Sequence, residues 1–182
     1  YDECLAYCAA IEEAGAAAHP MMAAAMPEFP NVASRTEVIK GVDGNDVTLF
    51  IDTPADADGP VPCIVHTHGG GMVLMAAADP NFVRWRRSLA AAGTIVVGVE
   101  FRNGGGKLGN HPFPAGLDDC ASGLRWAHDR RAELGISAIV VSGESGGGNL
   151  CIATTMKATR EGWGDAVDGV YALCPYISGQ YG

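Results

Sequence analysis

Hydrophobic positions follow two different patterns along the chain, and the change between them falls near residue 60. Segments 35–41 (RTEVIKG) and 45–53 (NDVTLFIDT) alternate apolar with polar residues. This alternation predicts an antiparallel hairpin that buries one face and exposes the other. Segment 61–68 (VPCIVHTH) is instead a run of apolar residues, which is typical of a strand buried on both faces.

Beyond residue 60, strands and helices are predicted to alternate. Three further apolar segments have the composition of buried strands: 93–101 (GTIVVGVEF), 136–143 (ISAIVVSG) and 168–176 (DGVYALCPY). Helices are predicted between them, over residues 80–92, 115–134 and 149–162. Asp79-Pro80 and Pro114 mark two helix starts, and Gly135 marks a helix end. Such alternation predicts an α/β fold with a mostly parallel central sheet flanked by helices.

Segment 140–149 (VVSGESGGGN) places a serine inside a glycine cluster, between a predicted strand and a predicted helix. Gly143 and Gly147 flank Ser145 at two residues on either side, as a sharp strand-to-helix turn requires where side chains would clash. Such a turn would expose the Ser145 hydroxyl and bring the Gly146 N–H beside it. The segment therefore predicts a nucleophilic serine, and the alternative is a plain glycine turn.

A second glycine cluster, HTHGGGM at residues 66–72, closes an earlier predicted strand. Consecutive glycines let backbone N–H groups point into a cavity, as an oxyanion hole requires. His66 and His68 would share one face of the strand and could share a metal, but the zinc hydrolase pattern HxHxDH needs Asp and His at positions where this chain has glycine. A dinucleotide fingerprint would need a small residue where Leu74 stands. The residues favour an oxyanion loop.

Four motifs together resemble a known family. HTHGGGM, VEFRN (99–103), HPFPAGLDDC (111–120) and SGESGGGNL (142–150) have the order and rough spacing of the hormone-sensitive-lipase-like esterases, a group with the α/β-hydrolase fold. The resemblance spans residues from about 60 to 182. It implies that residues 34–182 are the N-terminal part of an α/β-hydrolase catalytic domain, and that residues 1–33, rich in Ala and Met, form an N-terminal helical cap segment.

The resemblance also implies roles for single residues. Ser145 would be the nucleophile, and the N–H groups of Gly70, Gly71 and Gly146 would form the oxyanion hole. The elbow commonly reads G-D-S-A-G in this family, so here Glu144 stands in place of Asp and Gly146 in place of Ala. His68 would brace the glycine loop, and the HPFP loop would support the floor of the site. The supporting residues are thus His68, Gly69, Gly143, Glu144 and Gly147.

The activity implied is hydrolysis of small or short-acyl carboxylic esters, with lactones in the same class, through a serine acyl-enzyme. No metal and no organic cofactor is implied. The alternative function is that of a non-catalytic small-molecule-binding protein of the same fold, because an intact nucleophile and glycine loop are also compatible with a receptor. Turnover of an ester separates the two functions.

Composition narrows the partners. A hydrophobic content of 48% indicates a globular chain, and a formal net charge of -9 argues against nucleic acid or an anionic membrane as partner. No apolar run reaches the ~18 residues of a membrane helix. The six cysteines form no CxxC pair, so we expect buried reduced thiols and a cytoplasmic protein. They are Cys4, Cys8, Cys63, Cys120, Cys151 and Cys174.

A histidine base is harder to find. In this fold the triad runs Ser, then Asp or Glu, then His, and no histidine follows Ser145 in the chain. The five histidines are His19, His66, His68, His111 and His128, of which His111 is the one upstream candidate. We therefore expect the N-terminal half of a longer enzyme, with its acid and histidine beyond Gly182. Its expected partners are a small-molecule ester, the remainder of the polypeptide and a second copy in a homodimer.

Overall fold

The computed structural model describes residues 1–178, and its elements follow the predicted alternation. The helices are α1 (Asp2–Ala16), α2 (His19–Ala24), α3 (Pro80–Ala91), α4 (Ala115–Asp129), α5 (Arg131–Leu134) and α6 (Gly146–Arg160). The strands are β1 (Val32–Lys40), β2 (Asp46–Pro54), β3 (Val61–Thr67), β4 (Ile95–Glu100), β5 (Ile136–Glu144) and β6 (Gly169–Leu173). Two 3₁₀ turns span Gly106–Leu108 and Gly164–Ala166.

The strands form one sheet in the order β1-β2-β4-β3-β5-β6. The predicted hairpin is confirmed, since β1 and β2 pair antiparallel with Val32 opposite Pro54. Strand β2 also runs antiparallel to β4, whereas β4, β3, β5 and β6 are mutually parallel. The predicted mostly parallel sheet is therefore confirmed. Because β3 and β5 are parallel neighbours, with Thr67 opposite Gly143, the two glycine clusters that follow them meet at one edge of the sheet.

Helices cover both faces of the sheet, as the alternation of side chains along β4 demonstrates. Gly98 lies against the Arg86 side chain of α3, and the next residue, Val99, lies against Gly123 of α4. Successive strand residues point to opposite faces, so α3 and α4 pack on opposite sides. Helix α6 packs beside α4 and contacts β3, β5 and β6. The core between α4, α6 and the sheet is formed by fully buried residues such as Leu49, Val97, Leu124, Ile139 and Val141.

One predicted helix differs in detail from the elements observed. The helix predicted over 115–134 is broken at Arg130, where φ is -102° and ψ is 14°, into α4 and α5. The hydrophobic pattern continues across the break, so it carries no sign of it. Gly135 ends α5 in the left-handed conformation, at φ 66° and ψ 38°, as predicted. Within residues 1–178, no helix is both long and apolar enough to cross a membrane.

Strand β6 was predicted to be buried, and this prediction is wrong for the described chain. Val170, Tyr171 and Leu173 are 43%, 55% and 49% exposed. The physical reason is position: β6 pairs with β5 along one edge and is the outermost strand of the described sheet. Apolar side chains of this kind favour burial, but no described element covers the outer edge of β6.

All six cysteines are free thiols, but they are not all buried as predicted. Cys63, Cys120 and Cys151 are buried, Cys8 is half-buried, and Cys4 and Cys174 are exposed. Burial raises the pKa of Cys63 to about 12 and that of Cys151 to about 11, so both stay protonated. Cys174 is exposed because it lies just after β6, where the chain leaves the sheet at φ 38°.

Replacing Leu124 by alanine is expected to destabilise the protein by about 2–5 kcal/mol, because its side chain is fully buried between α4 and the sheet. Urea unfolding monitored by circular dichroism measures this change. Met156→Ala on the 47% exposed surface of α6 is the control and should change stability by less than about 0.5 kcal/mol. Equal losses in the two variants would contradict the assignment of Leu124 to the core.

Candidate active site

Ser145 occupies the sharp turn that joins β5 to α6. Its backbone has φ 54° and ψ -117°, an uncommon conformation for a residue other than glycine, and its side chain is exposed. The Ser145 N–H donates to the Leu173 carbonyl at 2.9 Å, and its carbonyl accepts the Tyr176 N–H at 3.0 Å. Two backbone hydrogen bonds, one to the last residue of β6 and one to the segment after it, therefore hold the strained turn.

Glycine is required on both sides of this turn by close backbone contact. A side chain at Gly147 would overlap the Thr67 carbonyl oxygen and come within 2.5 Å of the His68 carbonyl oxygen. A side chain at Gly143 would meet the Thr67 hydroxyl at 2.5 Å. That hydroxyl donates to the Gly147 carbonyl at 2.8 Å and lies 3.2 Å from the Ser142 carbonyl. The end of β3 and the start of α6 thus pack backbone against backbone.

The glycine loop after β3 adopts a run of left-handed conformations, with φ 105° at Gly70, 66° at Gly71 and 63° at Met72. It approaches the start of α6 so closely that a β-carbon at Gly146 would lie 2.7 Å from the Gly71 nitrogen and 2.8 Å from the Met72 nitrogen. A β-carbon at Gly70 would overlap the Leu74 carbonyl oxygen. The loop therefore depends on glycine for its shape and for its contact with α6.

The backbone N–H groups at this contact are available to a ligand. Within residues 1–178, the N–H groups of Gly70, Gly71 and Gly146 donate no hydrogen bond. Gly146 is also the first residue of the 15-residue helix α6, whose N-terminal end carries partial positive charge. Donors of this kind beside an exposed hydroxyl can stabilise an anion that develops on an atom bonded to that hydroxyl.

Glu144 joins the two glycine clusters. One of its carboxylate oxygens lies 2.9 Å from His66 Nε2, and the other accepts the Gly69 N–H at 2.8 Å. A carboxylate only accepts, so His66 Nε2 carries the proton. Burial alone would raise the pKa of Glu144, but the hydrogen bonds from His66 and Gly69 outweigh it and lower this pKa below its usual value. Glu144 is therefore ionised at neutral pH and fixes the first residue of the glycine loop.

His68 lies fully buried beneath the glycine loop. Its Nδ1 donates to the Gly69 carbonyl at 2.7 Å, and its ring stacks on Phe101 with centroids 4.1 Å apart. Burial lowers the pKa of His68 to about 4, so the ring is neutral near pH 7. The predicted shared face of His66 and His68 is observed, since both rings contact Phe82. Across the described part of the chain, no group of three His, Cys, Asp or Glu residues could hold a metal ion.

The sequence interpretation missed one contributor to the site and underestimated another. Thr67 was not singled out, although its hydroxyl connects β3 to the turn, and Glu144 was expected only as a general support. Polar residues at the last positions of two neighbouring parallel strands were the available signal, because such residues meet at the sheet edge. Which oxygen would accept which N–H depends on the register of β3 and β5, which the sequence does not encode locally.

No described histidine contacts the Ser145 hydroxyl as a base. Among residues 1–178 the Ser145 hydroxyl makes no hydrogen bond, and His66 and His68 are directed to Glu144 and Gly69. His111 donates its backbone N–H to the Asn103 carbonyl at 2.8 Å, and Gly104 in turn donates to the Met72 carbonyl at 2.8 Å. The HPFP loop thus reaches the glycine loop through the backbone of residues 103 and 104.

Comparison with known proteins identifies relatives of this fold. A family model described as alpha/beta hydrolase fold matches residues 64–181. The solved structure of brefeldin A esterase, described as a bacterial homologue of human hormone-sensitive lipase, is similar with a TM-score of 0.80 and 46% identity. The match covers 93% of this chain and 49% of that one.

Two curated relatives extend the comparison. Tuliposide A-converting enzyme 2 of Tulipa gesneriana is 30% identical over 166 residues, which cover 85% of this chain and 41% of the relative. Carboxylesterase NlhH of Mycobacterium tuberculosis is 37% identical over 125 residues, which cover 67% of this chain and 38% of the relative. The chain therefore spans less than half the length of these relatives.

His68 is expected to make stability depend on pH between 6.5 and 4. The unfolded ring binds a proton below its ordinary pKa of 6.5, whereas the native ring resists protonation down to about 4. The stability that this neutral ring supports is thus complete above pH 6.5 and is lost as the pH falls. Between pH 7 and pH 4.5, His68→Gln should reduce the loss of unfolding free energy by on the order of 2 kcal/mol, measured by urea denaturation.

The matched control is His111→Gln, because the His111 side chain is half-buried and pairs with no carboxylate among residues 1–178. Each variant is compared with itself at the two pH values, so that any loss of packing in His68→Gln cancels. An unchanged pH dependence in His68→Gln would show that the native ring takes up its proton as readily as the unfolded one, and would contradict this prediction.

Proposed function

The chain belongs to the alpha/beta hydrolase fold family, in its group of hormone-sensitive-lipase-like esterases, and we propose that the complete protein hydrolyses carboxylic esters through an acyl-enzyme on Ser145. One observation carries the proposal. An exposed serine hydroxyl on a strained strand-to-helix turn lies beside the N–H groups of Gly70, Gly71 and Gly146, which donate no hydrogen bond within the described residues. A plain glycine turn needs neither the strain at the serine nor the free donors opposite it.

Each part of this arrangement has a role in the proposed reaction. A base removes the Ser145 proton while the hydroxyl oxygen attacks the ester carbonyl. Negative charge then develops on the carbonyl oxygen, where the three N–H groups and the N-terminus of α6 stabilise it. The protonated base gives this proton to the departing alcohol. The base then takes a proton from water, which attacks the acyl-enzyme, releases the acid and restores the Ser145 hydroxyl.

The base in this proposal is a histidine, oriented by an acidic residue, from another part of the complete protein. The support is twofold. His66 and His68 are buried and hydrogen-bonded elsewhere, and the relatives are more than twice as long as the segments they share with this chain. Ionised Glu144 is held by His66 and Gly69, so its role in the proposal is to shape the glycine loop and not to move protons.

The substrate class follows from the relatives. The names carboxylesterase and esterase support ester hydrolysis, and we propose small or short-acyl esters, including lactones, as substrates. A non-catalytic binding protein of the same fold is the competing function. Turnover of p-nitrophenyl acetate by the complete protein separates the two, since a binding protein would release no p-nitrophenol.

Replacing Ser145 by alanine in the complete protein is expected to lower kcat by on the order of 10⁶-fold, because the covalent route is lost. Steady-state hydrolysis of p-nitrophenyl acetate measures kcat. A fluorophosphonate probe should also label wild type at Ser145, as identified by peptide mass spectrometry.

The control for this substitution is Ser88→Ala, which removes a hydroxyl that bonds to the Arg84 carbonyl on α3. This variant should keep both the activity and the label. Labelling of the buried Ser142 in place of Ser145 would contradict the proposed nucleophile.

Gly146→Ala tests the oxyanion hole. Alanine is common at this position among the esterases that the chain resembles, but here its β-carbon would lie 2.7 Å from the Gly71 nitrogen. The glycine loop would have to move away, so we expect kcat for p-nitrophenyl acetate to fall about 10²- to 10³-fold, the effect of losing one oxyanion donor.

Gly15→Ala is the matched control, because a β-carbon there meets no atom within 4 Å. It should leave kcat unchanged. A Gly146→Ala variant with kcat within threefold of wild type would rule out a close contact between the glycine loop and α6 as the basis of the site.

A further inference from the structure

Glu12 on α1 reaches from the N-terminal segment to two loops of the catalytic domain. One of its carboxylate oxygens accepts the Met75 N–H at 2.7 Å, and the other accepts the Lys107 N–H at 2.5 Å. Gly106 has φ 65°, and a β-carbon there would lie 2.5 Å from the same carboxylate. The carboxylate therefore lies directly against the backbone of both loops.

Met75 lies at the far end of the loop that begins with the free donors. Its φ is 72°, and with Gly70, Gly71 and Met72 it is one of four left-handed residues in six positions. Non-glycine residues hold such conformations only when their surroundings enforce them. The Met75 peptide groups are fixed on both sides, since Glu12 accepts the N–H and the Asn103 side chain donates to the carbonyl at 2.8 Å.

The charges around Glu12 are arranged so that it bonds to backbone groups. The Lys107 ammonium lies 2.7 Å from one oxygen of Asp79. Lys107 therefore pairs with Asp79, and Glu12 bonds to the Lys107 backbone N–H. The other Asp79 oxygen accepts the Ala76 N–H at 3.0 Å. Asp79 is the predicted N-cap residue of α3, but its side chain makes no hydrogen bond to the first turn of that helix. Both carboxylates thus hold successive residues of one loop, and charge-assisted bonds of this kind are stronger than neutral ones.

We propose that Glu12 is a positioning residue for the oxyanion hole. Residues 1–33, which we take as a cap segment, then do more than cover the site: through Glu12 they keep the loop from Gly70 to Met75 in the shape that points its donors at the reacting carbonyl. The inference rests on the proposed esterase function. It predicts that a change in the N-terminal segment alters the chemical step and leaves ester binding nearly unchanged.

The test compares Glu12→Ala, Glu12→Gln and the control Glu13→Ala, an exposed neighbour on the same helix, in the complete protein. Glu12→Ala should lower kcat for p-nitrophenyl acetate at least tenfold, with KM within threefold of wild type. Glu12→Gln should fall between Glu12→Ala and wild type, because the glutamine oxygen retains one of the two N–H groups. Glu13→Ala should match wild type. A rise in KM at unchanged kcat would overturn the proposal.

Hydrogen exchange separates this inference from the proposed function. The Met75 and Lys107 amides should exchange at least tenfold faster in Glu12→Ala than in Glu13→Ala, while the buried β4 amides stay protected. This readout needs no esterase activity, so an inactive protein would refute the proposed function and still test the loop. Unchanged protection at Met75 would overturn the inference, and so would lost protection with full kcat.

Discussion

The site depends on the approach of two backbone segments with no side chain between them. The end of β3 lies against the start of α6 at Gly147, and the glycine loop lies against α6 again at Gly146. Any β-carbon at these points would push β3 and α6 apart. The parallel pairing of β3 with β5 makes the approach possible, since it delivers both strands to the same edge. Ser145 lies at the turn from β5 into α6 and is exposed there.

Polar groups complete what the glycines allow. Thr67 bonds to the turn at Gly147, Glu144 bonds to His66 and Gly69, and His68 bonds to the Gly69 carbonyl. Gly69 therefore has its N–H and its carbonyl both engaged, while the next two N–H groups donate no bond to any residue that the structure describes. Removing a single acceptor would leave buried donors without partners, and this costs more than the bond itself contributes. The bonds made by Gly69 thus fix the loop from which the Gly70 and Gly71 N–H groups project.

Much of this architecture could be predicted from local pattern, because strands and helices place apolar residues at characteristic intervals along the chain. The hairpin, the parallel strands and the turn at Ser145 all followed from apolar runs and glycine spacing. The exposure of β6 did not, since it depends on which strand pairs with which and on what lies outside the pair. The role of Glu12 could not be predicted either, because Glu12 bonds to Met75 and Lys107, which lie 63 and 95 positions further along the chain. No rule of sequence spacing connects residues so far apart.

The distribution of the thiols has a practical consequence for following this molecule in solution. Cys63, Cys120 and Cys151 are buried, and burial raises the pKa of each. An alkylating reagent therefore cannot reach these thiols, and they are not in the reactive thiolate form. Cys4 and Cys174 are exposed, one on α1 and the other one residue after β6. Apart from the half-buried Cys8, the natural sequence therefore carries two exposed attachment points for spectroscopic labels, one in the segment that holds Glu12 and one beside the residues that hold Ser145. A distance measured between them would report the movement of α1 relative to the nucleophile without an engineered cysteine.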